Sequence, residues 1–438
     1  MRKLTLFIWL ATQILLVNNS FAQTNTITSF DEFMNLANAK SLTLKNGEIQ
    51  LSQAKKAKLA SILGLLDPTG NVELSYLNNT KLPVNLIPSE ILGGQPGTFQ
   101  EVKFGVQYNT NFNTNIDVKL INPVGWENLR LSKLNIQLSE SNNKLALKSL
   151  YENSAIIFFN IATLQEQLKS TKQNLVAAEQ LYQITFNKYQ AGLVNKQDAN
   201  ESLVNKKSIE EQINQIQFLI QQQYIAIKLL CDIPNDFEFT IEPKLQKAIP
   251  NINVQNNQLL FNNAFLNEHI SFSNYRNVKF SFLPSFSLLG SFSQQQYNTR
   301  ARIFDNNVNW IPSSYVGIRL SMPLPSATSI SQFSKAKYDY QLAKNSTAKL
   351  KIQSDLNTNQ LTVDYDKAIS QRESNKVIYE IRKETYEKNL NNYEAGVISL
   401  EQTVRSFNEM VSSHYNIISS EKKVELALTK ININNKIN

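Results

Sequence analysis

Glycine and proline are missing from four long stretches of this 438-residue chain. Neither occurs in 126–191, 193–233, 326–395 or 397–438, runs of 66, 41, 70 and 42 residues. Sheets and short helices need a turn every dozen residues or so, and turns draw heavily on these two residues. The runs therefore exclude a sandwich, a doubly wound sheet or a TIM barrel as the main body. At about 1.5 Å per residue, such runs would make helices on the order of 100 Å long. An elongated helical object is expected.

The N-terminus reads as a secretory signal peptide over 1–22. Arg2 and Lys3 are followed by the mostly apolar Leu4–Val17, then by small residues at Ser20 and Ala22 before Gln23. Removing it leaves 42 basic and 36 acidic residues. These are mixed along the chain, so no nucleic-acid footprint is expected. No other apolar stretch is long enough for a membrane helix. Cys231 is the single cysteine, so no intrachain disulfide can form, and the thiol is expected to pack near a helix end.

The mature chain repeats itself. Tyr182, Asn187, Tyr189, Ala191 and Gly192 recur 204 residues later as Tyr386, Asn391, Tyr393, Ala395 and Gly396, and the breaker-free runs flanking each glycine match in length. The expected organisation is a first repeat over 23–233 and a second, opened by an irregular connector with Pro234, Pro243 and Pro250, over 234–438. Each holds a helix, a strand pair and a long helical hairpin. The first helix is expected from about Ser29, with Glu32 completing a capping box, to Leu65. Its counterpart is expected over roughly 255–279.

Period-two alternation marks the strands. Val72, Leu74 and Tyr76 form one set. Val102, Phe104, Val106 and Tyr108 form another, whose parity continues through Phe112, Ile116, Val118 and Leu120. In the second repeat Phe286, Leu288 and Phe292, then Val316, Ile318, Leu320 and Met322, alternate with mainly polar neighbours. Such strands fit a half-buried soluble sheet. Export and a strand length near the 9–11 residues of a tilted membrane strand point instead to a barrel. Val102, Phe104, Val106, Phe286, Leu288, Val316, Ile318 and Leu320 are then candidates to face outer-membrane lipid. Four strands cannot close a barrel; two copies would supply 8 strands and three would supply 12.

The helical runs carry coiled-coil spacing. Ile161, Leu168, Leu175, Tyr182 and Tyr189 fall seven apart, and Tyr365, Tyr379, Tyr386 and Tyr393 echo them. Between paired helices, Gly192 and Gly396 suit a left-handed helix cap, with Leu193 and Val397 placed for its apolar contact. Asn195 and Ser399 suit the N-caps of the next helices, with Asp198 and Gln402 three residues on. Chain reversal alone accounts for these residues.

Together these features resemble the TolC-like outer membrane efflux proteins. The sharpest pieces are Tyr189-Gln-Ala-Gly-Leu-Val-Asn-Lys-Gln-Asp198, Tyr393-Glu-Ala-Gly-Val-Ile-Ser399, Phe282-Leu-Pro-Ser-Phe-Ser-Leu-Leu-Gly290 and Leu229-Leu-Cys-Asp-Ile-Pro234. The resemblance implies a mainly α fold with β: a tandem repeat of coiled-coil hairpins plus four membrane strands per chain. It further implies a homotrimer sharing a β-barrel in the cell outer membrane and an α-barrel in the periplasm. Its partners would be a periplasmic adaptor (membrane fusion) protein and, through it, an inner-membrane transporter. Tyr189, Gly192, Asn195, Asp198, Tyr393, Gly396, Ser399 and Gln402 would form the tip that gates the tunnel and meets the adaptor. Asp198 and Tyr393 match positions that tie such tips shut. The basic partner of some relatives is here Ile398, and the acidic ring positions fall near Gln402 and Arg405.

The function expected is a passive export duct of a tripartite efflux pump. A type I protein secretion channel and a periplasmic coiled-coil adaptor are the alternatives. No catalytic motif or Cys/His metal spacing appears, only His269 and His414 are present, and no cofactor is expected.

Overall fold

The computed structural model describes residues 25–242, 253–303 and 307–437. The signal peptide, its cleavage after Ala22 and the connector residues Pro243 and Pro250 lie outside them.

The breaker-free runs are helices. α1 is Phe30–Lys40, α2 Leu42–Leu63, α3 Pro123–Gln190, α4 Lys196–Leu230, α5 Leu259–Phe280, α6 Ala327–Glu394 and α7 Leu400–Lys436. α3 and α6 have 68 residues each, and both their ends are offset by 204, as are the starts of α4 and α7. α3 starts before the run does, because Pro123 suits the first helical position, where no N–H is needed. Asn122 caps it by accepting the Gly125 N–H at 3.0 Å. Among the described residues no helix is long and apolar enough to cross a membrane.

The expected first helix is two. The chain breaks at Ser41, whose ψ is 120°. The Asp232 carboxylate accepts the Leu42 N–H at 2.8 Å and so caps α2 from a remote segment. Ser29 does cap α1, accepting the Glu32 N–H at 3.2 Å. Glu32 reaches back one residue further than a capping box requires, to the Thr28 N–H at 2.8 Å.

The strands are β1 Asn25–Ile27, β2 Thr69–Asn78, β3 Val84–Pro88, β4 Phe99–Lys103, β5 Tyr108–Ile121, β6 Phe239–Ile241, β7 Ser285–Asn298 and β8 Ile311–Ser321. β2-β5-β7-β8 form one antiparallel sheet in that order, two strands from each repeat. β3 and β4 make a separate hairpin outside that sheet. Val102 therefore lies on β4, and Phe104 and Val106 lie in the link to β5. The expected strand from 102 to 120 is broken at Gly105, whose φ is +105°.

The described chain divides into two compact units, each drawn from both repeats. One holds 25–48, 141–242, 253–262 and 349–437, and the other 49–140, 263–303 and 307–348. In the first, β1 pairs with β6 in parallel. They cover a core of Phe33, Phe158, Ile161, Ile227, Phe239 and Ile433. Cys231 is buried there, 3.5 Å from the Ser154 hydroxyl. Burial pushes its thiol up, away from the reactive thiolate.

Ile161 is buried as expected, and beyond it the α3 seam runs beside the expected one. Thr171, Asn174, Ala178, Leu181 and Thr185 are buried at 3-4 spacing, whereas Leu175 and Tyr182 are half-buried and Tyr189 is exposed. Threonine can occupy a seam because its hydroxyl returns to the preceding turn. Thr171 donates to the Gln167 carbonyl at 2.6 Å and Thr185 to that of Leu181 at 2.8 Å. In the second repeat Tyr365, Tyr386 and Tyr393 are buried as expected.

In the second unit a buried charge joins α3 to α5. Glu127 is 2% exposed. It accepts the Ser273 hydroxyl at 2.6 Å and pairs with Arg276 at 3.2 Å. Arg276 lies over the Phe280 ring at 5.0 Å. Removing one partner of a buried pair strands the other charge. Arg276→Met should therefore lower stability by roughly 3 kcal/mol. Glu127→Gln, which keeps an acceptor for Ser273, should cost less. Thermal unfolding of the purified protein orders the two.

Candidate functional site

Two places gather the predicted site residues: the helix turns in the first unit and the sheet in the second.

Both turns are complete Schellman motifs. Gly192 and Gly396 have φ of +73° and +77°. Gly192 N–H donates to the Tyr189 carbonyl at 2.9 Å and Leu193 N–H to that of Lys188 at 2.8 Å. Gly396 donates to Tyr393 at 3.0 Å and Val397 to Asn392 at 2.8 Å. Asn195 then caps α4, accepting the Asp198 N–H at 2.8 Å, and Ser399 caps α7, accepting that of Gln402 at 3.3 Å. Leu193 and Val397 do not fold back as expected. They are 73% and 70% exposed, so each turn presents a large apolar side chain to solvent.

The two tip tyrosines are equivalent in the repeat and differ in setting. Tyr189 is exposed, while Tyr393 is buried against Leu181, Leu400 and Val404. The Tyr393 hydroxyl and Thr185 Oγ1 lie 3.0 Å apart. The Lys188 ammonium sits 4.4 Å from the Tyr393 ring centroid and donates to its carbonyl oxygen. Within this chain Tyr393 is thus tied to α3 through Thr185. Asp198 is near enough that its charge adds to the burial that raises the Tyr393 hydroxyl. Thr185 and Lys188 were missed in the sequence, because their role depends on a partner in the other repeat. Beside the start of α4 lies a groove of about 930 Å³, lined among others by Asp198, Glu201, Arg382, Leu400, Arg405 and Glu409. Glu409 is paired with both Arg382 and Arg405.

Farther along, His414 joins three helices. Its Nδ1 lies 2.7 Å from Ser170 Oγ on α3, and its ring stacks on Tyr379 of α6 at 4.5 Å and 14°. The next residue, Tyr415, meets Thr171 at 2.6 Å. Burial lowers the His414 pKa, Glu166 opposes that shift, and Lys383 adds to it.

The sheet has one apolar and one polar face. Residues paired across antiparallel strands share a face. The apolar face holds Val72, Leu74 and Tyr76 on β2, Phe112, Ile116 and Val118 on β5, Phe286, Leu288 and Phe292 on β7, and Val316, Ile318 and Leu320 on β8. No charged residue falls on it. Val316, Ile318 and Leu320 are 70–80% exposed. Five lipid-facing candidates, Phe286, Leu288, Val316, Ile318 and Leu320, thus share this face, and Val102, Phe104 and Val106 do not. Near the β2–β5 connection Tyr76 and Tyr108 stack on it at 5.9 Å, where a membrane barrel carries its aromatic girdle.

The opposite face is amide and hydroxyl. Ser291 donates to Asn115 at 2.8 Å and Ser293 to Asn113 at 2.6 Å. Its charges are few: Glu73, Asp117, Lys119 and Arg319. Arg319 pairs with Asp117 at 3.2 Å and Lys119 with Asp67.

No family model matches the sequence, and no curated protein matches it. Solved structures do match. The outer membrane protein VceC from Vibrio cholerae superposes with a TM-score of 0.74 over 92% of this chain and 95% of its own, at 13% identity. CusC, known in structures of folding and transmembrane channel formation, gives 0.73 over 97% and 95%, at 13% identity. The outer-membrane channel OprN gives 0.72 over 92% and 89%, at 15% identity. Near-complete coverage at such low identity means that the backbone arrangement is shared while most side chains differ. The chain has the fold of these proteins, the architecture that the TolC-like resemblance implies for one copy.

Two outcomes follow from the packing. Tyr386 resembles Tyr393 in burial, but its hydroxyl has no partner among the described residues, and burial pushes it up to about 12. Tyr386→Phe should therefore leave thermal stability unchanged or slightly higher, and Tyr393→Phe should lose about 1 kcal/mol with the Thr185 bond.

His414 supplies a pH dependence. Its folded pKa lies below the ordinary value near 6.5, so the unfolded chain takes up the proton first. The stability held by the neutral ring is complete above that value and is lost as pH falls through it toward the folded pKa. His414→Gln should remove the fall in thermal stability on this mildly acidic side and lower the plateau above it, where the contacts of the neutral ring are lost.

Proposed function

We propose that this chain is the outer-membrane channel component of a tripartite efflux pump, a homotrimer that carries cargo passively from the periplasm to the exterior. The observation that carries the reading is the sheet. Its apolar face holds no charge, its polar face is uncharged but for four residues, and β2 and β8 each leave a row of backbone groups unpaired. Lipid cannot satisfy those rows, so a membrane position requires closure by further copies. Three copies make 12 strands, within the range of outer-membrane barrels, which begin at 8. VceC, OprN and CusC, described as an outer membrane protein, an outer-membrane channel and a protein forming a transmembrane channel, support this placement.

The helical hairpins then extend into the periplasm, with the two glycine turns at their tip. Gly192 and Gly396 reverse the chain, and Asn195 and Ser399 cap the returning helices by accepting the N–H groups of Asp198 and Gln402. The exposed Leu193 and Val397, together with Tyr189, offer apolar contacts to a periplasmic adaptor, through which an inner-membrane transporter engages. Asp198 and Tyr393 restrain the closed tip, Tyr393 through its hold on α3 and Asp198 through its free carboxylate. Passage through such a duct requires no reacting group on this chain.

The test is extraction and conductance. The protein should resist high salt, leave the outer membrane in detergent as a trimer, and form pores in planar bilayers. Asp198→Ala should raise the closed-state conductance of those pores. Release by salt alone, without pore activity, would return the chain to the periplasmic adaptor class; unchanged closed-state conductance in the variant would remove Asp198 from the gate.

A further inference from the structure

The two free edges of the sheet carry one charged residue each on the polar face, and the two are opposite in sign. On β2 that face shows Asn71, Glu73 and Ser75, and on β8 it shows Ser313, Tyr315, Gly317 and Arg319. Glu73 makes no ion pair among the described residues. Arg319 spends one nitrogen on Asp117 and keeps a side chain 56% exposed, with further N–H donors in its fixed fork. The second carboxylate oxygen of Asp117 is buried without a partner among the described residues, so Asp117 anchors the guanidinium from one side only.

The register of the sheet limits where these charges can meet. Glu73, Asn113, Ser293 and Ser313 lie in one row across the four strands. A closure without stagger would place Glu73 opposite Ser313 of the next copy. Barrels do not close that way, because their strands tilt by roughly 35–45°. With rise and strand spacing of about 3.3 and 4.8 Å, that tilt means a stagger of about 1 to 1.5 residues per strand. Over four strands it amounts to about four to six residues. The shift must also be even, or the polar face would turn outward. Sliding toward the end of β8 puts Gly317 or Arg319 of the next copy opposite Glu73 and keeps most of β2 paired. Sliding the other way carries Glu73 past Ile311, where β8 begins.

Both allowed registers bring Arg319 within reach of Glu73, directly opposite in one and on the diagonal in the other. We propose that Glu73 of one copy and Arg319 of the next form an ion pair across the seam, which selects the register in which the copies close. The partner is a second copy of this chain, and the inference rests on the barrel reading above. Each guanidinium then bridges Asp117 of its own chain and Glu73 of its neighbour. On a wet face such a pair adds little strength. Its effect is selection, because a slipped register leaves Glu73 facing neutral Ser313 or Tyr315.

Disulfide trapping tests the register. Glu73→Cys is combined in turn with Ser313→Cys, Gly317→Cys or Arg319→Cys, with each single variant as a control; Cys231 is buried and stays reduced. Interchain disulfides should form with position 317 or 319 and not with 313, giving linked trimers on non-reducing gels. Strongest linkage at 313 would overturn the proposed seam while leaving the barrel standing. No interchain linkage at any of the three positions would take the barrel reading down with it.

A double-mutant cycle tests the pair itself. Glu73→Gln and Arg319→Gln should each lower the temperature at which the trimer dissociates in detergent, and the double variant should lose less than the two losses added together. Strictly additive losses would show that the two side chains do not interact.

Discussion

Every backbone N–H and C=O placed in hydrocarbon must find a partner within protein, and most of this structure follows from that requirement. A chain that contributes four strands leaves two edges open. It can hold a sheet in a membrane only if other copies take those edges, so assembly is a condition of the fold's position rather than an addition to it. The long helices are a different case. An α-helix satisfies its own backbone, and it is their side chains that leave none of the described helices apolar enough to cross a membrane. Their seams include threonine and asparagine. On the barrel reading proposed above, the helices meet water and the sheet meets lipid on one face and water on the other.

The repeat meets this requirement economically. Each half supplies one strand pair and one helical hairpin, and the central β5–β7 pairing joins the halves within a single sheet. The long helices keep their 204-residue offset to the residue, while the regions around them have diverged. Among the described residues, only the first half carries a hairpin like β3–β4. Only the second buries its tip tyrosine, because Thr185 and Lys188 on the first half close over Tyr393, whereas their repeat counterparts are Asn389 and Asn392. Equivalent residues thus take up different work once the two halves pack on each other.

What could be read from the sequence divides along the same line. Helix extents were legible because absence of breakers is a local property, and the turns were legible because a left-handed cap needs glycine. The faces of β7 and β8 were legible because alternation runs unbroken through Phe286, Leu288, Val316, Ile318 and Leu320. In the first half alternation misled. Val102, Phe104, Val106 and Tyr108 keep parity straight across Gly105, so a break in the strand leaves no trace in the pattern. Leu193 and Val397 were assigned to intrahelical contacts that the turn geometry permits but does not compel. The break at Ser41 depends on Asp232, which lies 190 residues from the Leu42 N–H that it caps, and no local pattern holds that information.

The distribution of charge on the sheet has a consequence for what such a duct can discriminate. Asp117 is neutralised by Arg319 and Lys119 by Asp67, so most of the polar face is amide and hydroxyl. A surface of that kind hydrates solutes of either sign similarly and holds none of them tightly. On the proposed function, a sheet of this kind would discriminate little among cargoes, whereas Asp198, Glu201, Arg382, Arg405 and Glu409 bring charge to one groove beside the start of α4. The two charges on the edge strands, Glu73 and Arg319, then have a different use. They are too sparse to filter cargo and, in the seam proposed above, tell one copy where to meet the next.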